Sequence, residues 1–464
     1  MIKTSAFAIG ACTVLPAYLT SARAADNPKL PPSGRINLGC VGIGGRAEGV
    51  LPHMVGGKAQ PIAFADVDYM RGKKMIERYP QAKTYHDFRI MLDEMGKDID
   101  AVTVITPDHT HFVATILAMS MGKHVYTEKP LAHTFEESEI LMRAEKKYKV
   151  VTQMGNQGHT SVGAEQFKKM VANGIISDIV KIEAWKSARE WGGWYMDAKK
   201  RFSLVPVQQP IPTSLESWDL WCGPCEVRPF NSLYHPNHWR GFYSYGSGMF
   251  GDWGAHIIDF AHDYLELGLP TQVTAVQCFD PNPVIFPRSS NIVFNFPERG
   301  PRRPAVILDW KAGDDFKIPL AEAKYAYQQQ EGTLKVPSLE MVGTFLHRKQ
   351  NDYIIHRESH AKVSRIYPTT TMNEFGEKVK AQGPKFGHER GFIEACMGNG
   401  RTESPFSKAG VLTQVLNLGM IAEQLNADLA FDPVKKQFVG NDLANALLQG
   451  SAPRSEWAGF YKLA

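Results

Sequence analysis

Beyond its N-terminus this chain of 464 residues has no uninterrupted apolar run long enough to span a bilayer, so stable membrane insertion is not expected. Charge of one sign is also missing. Lysine and arginine number 52 against 48 aspartates and glutamates, a net +4 with no basic tail or stripe, which disfavours a nucleic-acid partner. Cysteine is sparse, six in all. Cys12 falls in a leader, Cys40, Cys278 and Cys396 sit in apolar or helical surroundings, and Cys222 and Cys225 form a close pair. What is present is an ordinary globular composition, 43% apolar, at a length that favours two or three domains around a large core.

Residues 1–24 read as a targeting segment. Lys3 precedes a mainly apolar run over 6–19, and Ala22, Arg23 and Ala24 form a small-x-small cleavage site. Cleavage there removes Lys3 and Arg23 and no acid, leaving a mature charge of +2. The opening MIKTSAFAIGA is similar to the tail of a twin-arginine signal without its arginine pair, as a start placed too far downstream would leave it; an ordinary Sec signal is the other reading. A lipoprotein reading at Cys12 leaves too short an apolar stretch before it. The expected location is the periplasm or beyond. The space outside supplies no free soluble cofactor, so any cofactor an exported protein uses is expected to be carried across tightly held.

After a proline-rich linker, residues 25–34, a strand over 36–41 runs into GIGGRA, residues 42–47. This fits G-x-G-x-x-G/A: Gly42 permits the tight turn, Gly44 lets backbone approach a pyrophosphate, and Ala47 lets helix and strand pack closely. A second apolar strand ends in Asp66, 22 residues beyond Gly44, the spacing of a carboxylate for a ribose 2′-hydroxyl. An acid there favours NAD over NADP, while nearby Arg46 keeps NADP possible. Further strands are expected over 99–105, 124–126 and 150–154, with helices over 112–121 and 136–148. Residues 35–155 thus read as a Rossmann domain.

Chemistry gathers at the strand ends. The stretch YTEKPLAH, residues 126–133, sets Glu128 and Lys129 before Pro130, and an ammonium there can hold or protonate a substrate oxygen. His109 and His111 in TPDHTH lack a third ligand at useful spacing, so no metal is expected and packing near the nucleotide loop is the plainer reading. Asn156 and His159 in GNQGH suit the nicotinamide and substrate side or a polar turn. Farther on, Asp252, His256 and Asp259 are spaced to project from one face of a helix that Gly248 opens. A carboxylate beside an imidazole tunes a base to work near neutrality.

GIGGRA, Asp66, ITPDHTH and TEKPLA resemble the glucose-fructose oxidoreductase and inositol dehydrogenase family, Gfo/Idh/MocA. WDLWCGP and the D-x-G-x-H-x-x-D of residues 252–259 extend the likeness, and LAFDPVKKQFVGNDLAN resembles the closing segment of an exported bacterial subgroup. The resemblance implies an NAD(P)-dependent oxidoreductase acting on a sugar, polyol or glycoside hydroxyl, assembled as a dimer or tetramer. Carried over, Lys129 and His256 take part in moving the hydroxyl proton, and Asp252 orients substrate or histidine. Gly42, Ile43, Gly44, Gly45, Arg46, Asp66, Thr106, Pro107, His109, His111, Glu128, Lys129 and Asn156 are expected along the cofactor. His159, Trp185, Arg189, Tyr243 and Asp259 are expected toward the substrate. Two alternatives stand beside this: a glycosidase using NAD transiently, against which the EKP lysine argues, and a non-catalytic sugar-binding descendant.

WCGPC, residues 221–225, is also the sequence of a thioredoxin site, but the proline-rich context differs, so a structural turn is the expectation, with a local disulfide between Cys222 and Cys225 left open by an oxidising compartment. Aromatic residues between 185 and 245 suit either a sugar pocket or an aromatic core. Strands over 273–278, 292–296 and 305–310 predict a large, mostly antiparallel sheet in an α+β domain over 156–430, for substrate and subunit contacts. Residues 320–385 read as hairpins and loops, helices over 389–397 and 408–425 as packing back on the first domain, and 431–464 as a tail.

Overall fold

The computed structural model describes residues 34–464 apart from 57, 188–205, 301–302, 317–341 and 359–361. The expected leader and linker, Arg189, and the aromatic residues Trp191, Trp194 and Tyr195 therefore lie outside the described residues.

The first domain is a doubly wound sheet. Its strands are β1 (Ile36–Val41), β2 (Ala59–Ala65), β3 (Lys83–Tyr85), β4 (Ala101–Val104), β5 (His124–Thr127) and β6 (Thr152–Met154). All pair in parallel in the order β3-β2-β1-β4-β5-β6. Helices cover both faces, so the central strands are buried on both sides and read as unbroken apolar runs such as AVTV in β4. The crossovers are α1 (Ala47–Met54), α2 (Tyr69–Arg78), α3 (Phe88–Met95), α4 (Asp108–Ser120) and α5 (Phe135–Tyr148). Local chemistry starts them: Asp68 accepts from Arg71 N to cap α2, and Thr134 and Glu137 form a capping box on α5. One boundary moved. The helix expected from residue 112 begins at Asp108, because Pro107 stands extended at its N-cap and frees the next residue to start the turn.

The second domain is a nine-stranded sheet, mostly antiparallel as expected. It holds β7 (Ile179–Lys186), β8 (Gln272–Phe279), β9 (Ser289–Phe296), β10 (Val306–Ala312), β11 (Val342–Arg348), β12 (Ile354–Arg357), β13 (Arg365–Tyr367), β14 (Asp428–Asp432) and β15 (Gln437–Phe438). The order is β13-β12-β11-β7-β10-β9-β8-β14-β15, and β7 and β10 are its parallel pair. Between β6 and β7 lies α6 (Val162–Ala172), and between β7 and β8 come α7 (Trp218–Cys222), α8 (Ala255–Ile257) and α9 (Asp259–Tyr264). Hairpins occupy the described part of 320–385 as read, joined by an unread helix, α10 (Thr369–Val379).

The domains share one core. After α11 (His388–Cys396), the helix α12 (Phe406–Leu425) is buried along most of its length and packs on α5 and on β8 and β9. Residues 454–463, beyond α13 (Asp442–Gln449), close on the first domain: Tyr461 donates to Glu137, Lys147 to the carbonyl of Leu463, and Arg89 lies 4.4 Å over the Trp457 ring. Among the described residues no helix is long and apolar enough to cross a membrane.

Candidate active site

At the carboxyl ends of β1, β2, β4 and β5 lies a cavity of about 280 Å³, where an open α/β sheet takes its ligand. Gly42 is built for its floor: φ is +76°, and a Cβ would stand 2.6 Å from the Ile105 carbonyl oxygen. Asp66 braces this turn, accepting from Ile43 N at 2.8 Å and Asp68 N at 2.9 Å. Burial raises its carboxyl and those two backbone donors draw it back down. Gly44, Gly45, Thr106 and Pro107 line the same cavity.

The residues fit a dinucleotide on a further observation. Gly42, Gly44 and Gly45 bring bare backbone to the cavity wall, while Asn156, whose two side-chain amide atoms are buried without a hydrogen-bond partner among the described residues, is not part of that wall. The glycine turn and the start of α1 would hold the pyrophosphate and Asp66 the adenosine ribose.

Lys129 stands where that cavity meets the second domain. Its ammonium donates to the Asp252 carboxylate and, at 2.8 Å, to the Asp252 carbonyl. Two of its three donors are thus taken, and the third meets no acceptor among the described residues. Arg240 Nε lies 3.8 Å from the same carboxylate, so Asp252 stands between two cations. His256 follows on α8, its ring 6.3 Å from that of Trp253. Lys129 and Asp252 are 13% and 17% exposed, dry enough to strengthen charge effects yet open to a substrate.

Several expected contacts sit elsewhere. The segment Phe250–Gly254 is π-helical and Ile258 interrupts the helix after it, so the expected single face breaks: Asp252 meets Lys129, while Asp259 is buried on His159. His159 is itself 1% exposed, between Asp259 and Asp263, and does not line this cavity. His109 turns away from the dinucleotide, its nitrogens 2.7 and 3.2 Å from the carbonyls of Trp221 and Tyr245, and burial lowers it to about 3. His111 does line the cavity, facing the carbonyls of Pro130 and Thr106 at 2.8 Å each. Trp185 is core, because β7 sends it between Phe345 and His356. Tyr243 stacks on Phe286 and lines a different cavity.

Arg46 does not reach the ribose side. Its Nε is 3.3 Å from Glu128 at the end of β5, on the far side of β1 from Asp66. Glu128 is a buried hub that also accepts from Tyr126 and from Gln157, and it fills the space above Gly155. Arg71, which the motifs did not indicate, takes the place beside the turn, its Cβ 3.0 Å from where a Gly44 Cβ would be. Asp108 was also missed. It lines the cavity at the head of α4, and burial raises its carboxyl to about 6 against the pull of Arg240 and Lys129.

The WCGPC turn carries no reactive thiol. Cys222 ends α7 rather than starting it, and burial pushes it up to about 12. Cys225 is raised further still, its thiol pointing at the Ser244 carbonyl 3.2 Å away, and both cysteines are free in this structure. Trp218, Trp221, Tyr234, Phe242 and Tyr245 form an aromatic core of their own.

Comparison with known proteins matches residues 36–156 to an oxidoreductase family with an NAD-binding Rossmann fold, and residues 160–274 to that family's C-terminal alpha/beta domain. The levoglucosan dehydrogenase of Pseudarthrobacter phenanthrenivorans is 27% identical over 241 residues, 49% of this chain and 50% of that protein. An inositol 2-dehydrogenase of Salmonella typhimurium is 26% identical over 145 residues, 30% of this chain and 43% of that protein. The chain thus spans half or less of these relatives' length. In fold it is similar to the WlbA dehydrogenase of Chromobacterium violaceum, solved with NADH and UDP-GlcNAcA (TM-score 0.60, 16% identity, covering 88% of this chain and 99% of that one). A levoglucosan dehydrogenase solved with NADH and levoglucosan gives a TM-score of 0.53 at 18% identity, over 85% and 99% of the two chains.

Proposed function

Because this chain belongs to the Gfo/Idh/MocA oxidoreductases, we propose that it interconverts a hydroxyl and a carbonyl on a sugar, polyol or glycoside while keeping its NAD bound. The contact between Lys129 and Asp252 carries this reading. It puts a proton-handling pair from two domains at the mouth of the dinucleotide cavity, with one ammonium donor left for a substrate oxygen. Bound NAD would supply the hydride acceptor. The chain itself orients the hydroxyl at Lys129 Nζ, lowers the cost of losing its proton there, and offers His256 as the base that receives it. Asp252 holds the ammonium in place throughout.

Retention of the cofactor is supported by how the second domain covers the adenosine side. Glu216 N donates to the Val67 carbonyl at 2.9 Å and His235 Nε2 lies 2.9 Å from Asp68, so residues 215–240 are pinned onto the loop that carries Asp66. We further propose that the protein acts after export, where such retention would be needed.

The test is to purify the protein without added nucleotide, assay the released dinucleotide, then screen mono- and disaccharides, polyols and glycosides by nicotinamide absorbance beside sugar release. A lasting absorbance change with one hydroxylated substrate is expected. Sugar release without it would mean a glycosidase, and silence in both would mean a binder.

A further inference from the structure

His159 lies three residues past Asn156, on the turn Gln157–His159 by which the chain leaves β6 at the cofactor face. Its ring is gripped from the other domain. Nδ1 is 2.9 Å from Asp259 Oδ2, and Nε2 is 3.3 Å from Asp263 Oδ2, an ion-pair distance off the hydrogen-bond line. Tyr264 stacks on it at 5.7 Å and Phe260 meets it edge-on. A neutral imidazole can donate from only one nitrogen, so a carboxylate at each points to the charged ring. Lys408, 3.1 Å from Asp263, and Arg357, over the Phe260 face and facing Asp259, bring positive charge to the two carboxylates; His388 and Glu403 also stand nearby.

Asp259, Asp263 and Tyr264 all stand on α9, which continues the segment bearing Asp252 and His256. That segment is fastened at two points. Lys129 holds it at Asp252 from the end of β5, and His159 holds it at Asp259 and Asp263 from the exit of β6. β5 and β6 are neighbours in the sheet, with Tyr126 paired to Gln153, so the spacing of the two fastenings is set by strand pairing. The first fastening stands inside the π-helical segment Phe250–Gly254, a rare geometry found most often at functional sites, and the second lies on α9 beyond it.

We propose that His159 is a positioning residue: as an imidazolium clamped by Asp259 and Asp263, it sets the rotation and height of residues 250–264 and so registers Asp252 and His256 against Lys129. The consequence for turnover rests on the function proposed above; the clamp does not.

The experiment compares wild type with His159→Gln and the milder Asp263→Asn, each purified with NAD bound. Three quantities are read: kcat and KM, NADH affinity, and the rate at which acetic anhydride labels Lys129, followed by mass spectrometry with Lys436 as control. His159→Gln is expected to lower kcat about 10²-fold, the effect of a misplacement near 1 Å, with KM and NADH affinity within about threefold of wild type. Lys129 should label several-fold faster as Asp252 drifts from it, and Lys436 should not change. Asp263→Asn should shift both in the same direction by less, and it carries the test if His159→Gln does not fold. Unchanged Lys129 labelling in a folded variant overturns the proposal, whether kcat is kept or falls with the folded fraction. Faster labelling in a protein that turns over no sugar or polyol would retire the proposed function and leave the clamp standing.

Discussion

The Lys129 ammonium donates to both the side chain and the backbone carbonyl of Asp252, a residue 123 positions away in the other domain. The side-chain contact brings two charges together; the backbone contact fixes where the helix sits. Geometry and electrostatics are thus set by one group, and changes there should separate chemistry from binding.

Lys129→Ala should reduce kcat by about 10²–10⁴-fold, the range for losing a positioned proton-transfer group. NADH affinity should stay within severalfold, since the glycine turn and Asp66 are untouched. Stopped-flow absorbance on the NAD-loaded variant reads both. Turnover within tenfold of wild type would remove Lys129 from the chemistry.

Asp66→Ala frees two backbone N–H groups, those of Ile43 and Asp68, inside a partly closed cavity. Those unmatched donors lower stability, whereas losing a charged acceptor for the ribose hydroxyl costs about 1.5–3 kcal/mol of binding, so NAD affinity should fall by about 10- to 150-fold. The ratio of NAD to NADP affinity should move toward unity, with Arg71 close by to receive a 2′-phosphate. Fluorescence titration with NADH and NADPH measures this, and unaltered discrimination would dismiss Asp66 as its source.

Stability should decline on the alkaline side. The carboxylates beside His159 raise it from an ordinary 6.5 to about 9 despite burial, which alone would lower it. Folding therefore favours the protonated ring: the contribution is present in full below about 6.5 and is lost as pH rises through about 9. Urea unfolding of wild type should show a loss of about 3 kcal/mol between pH 7 and pH 10 from this group, and His159→Gln should lack that component. Parallel curves for the two proteins would count against the charged ring.

Replacing Cys222 and Cys225 together by serine should leave turnover within twofold. Cys222 is buried and Cys225 half-buried, and both thiols are held well above the usual cysteine range. In the native protein iodoacetamide should label them far more slowly than after unfolding. Rapid native alkylation, or activity lost with the pair, would restore a redox reading.

Trp457→Ala should destabilise by about 3–5 kcal/mol, the usual cost of emptying a large buried aromatic site. The ring is 1% exposed and lies against Phe88 and Phe460, with Arg89 over its face. Calorimetry on the NAD-loaded protein should show a lowered Tm with KM for substrate little changed.

The nucleotide domain was legible because its signals are local. A glycine turn after a strand, an acid at a set distance and apolar runs each act over a few residues, and all appear at the expected places. The contact of Lys129 with Asp252 was approachable only through family resemblance, since no spacing rule links positions 123 apart. Asp259 was misread because the spacing argument assumes 3.6 residues per turn, and a π-turn breaks that phase. Arg46 lines the cavity as expected, but its ion pair was hidden, because its partner Glu128 comes from a strand two places away in the sheet. His159 was read toward the substrate or as a polar turn residue, since the carboxylate that buries it arrives 100 residues later.

The Rossmann domain does not end where its last strand ends. Tyr461 and the Leu463 carbonyl grip α5, and α12 lies along the same helix, so its outer layer is assembled from chain made some 300 residues later. A graft that exchanges cofactor modules by cutting near residue 156 would strip that layer and expose an apolar flank. A recombinant designed to keep 406–463 with the transplanted module has the sounder splice.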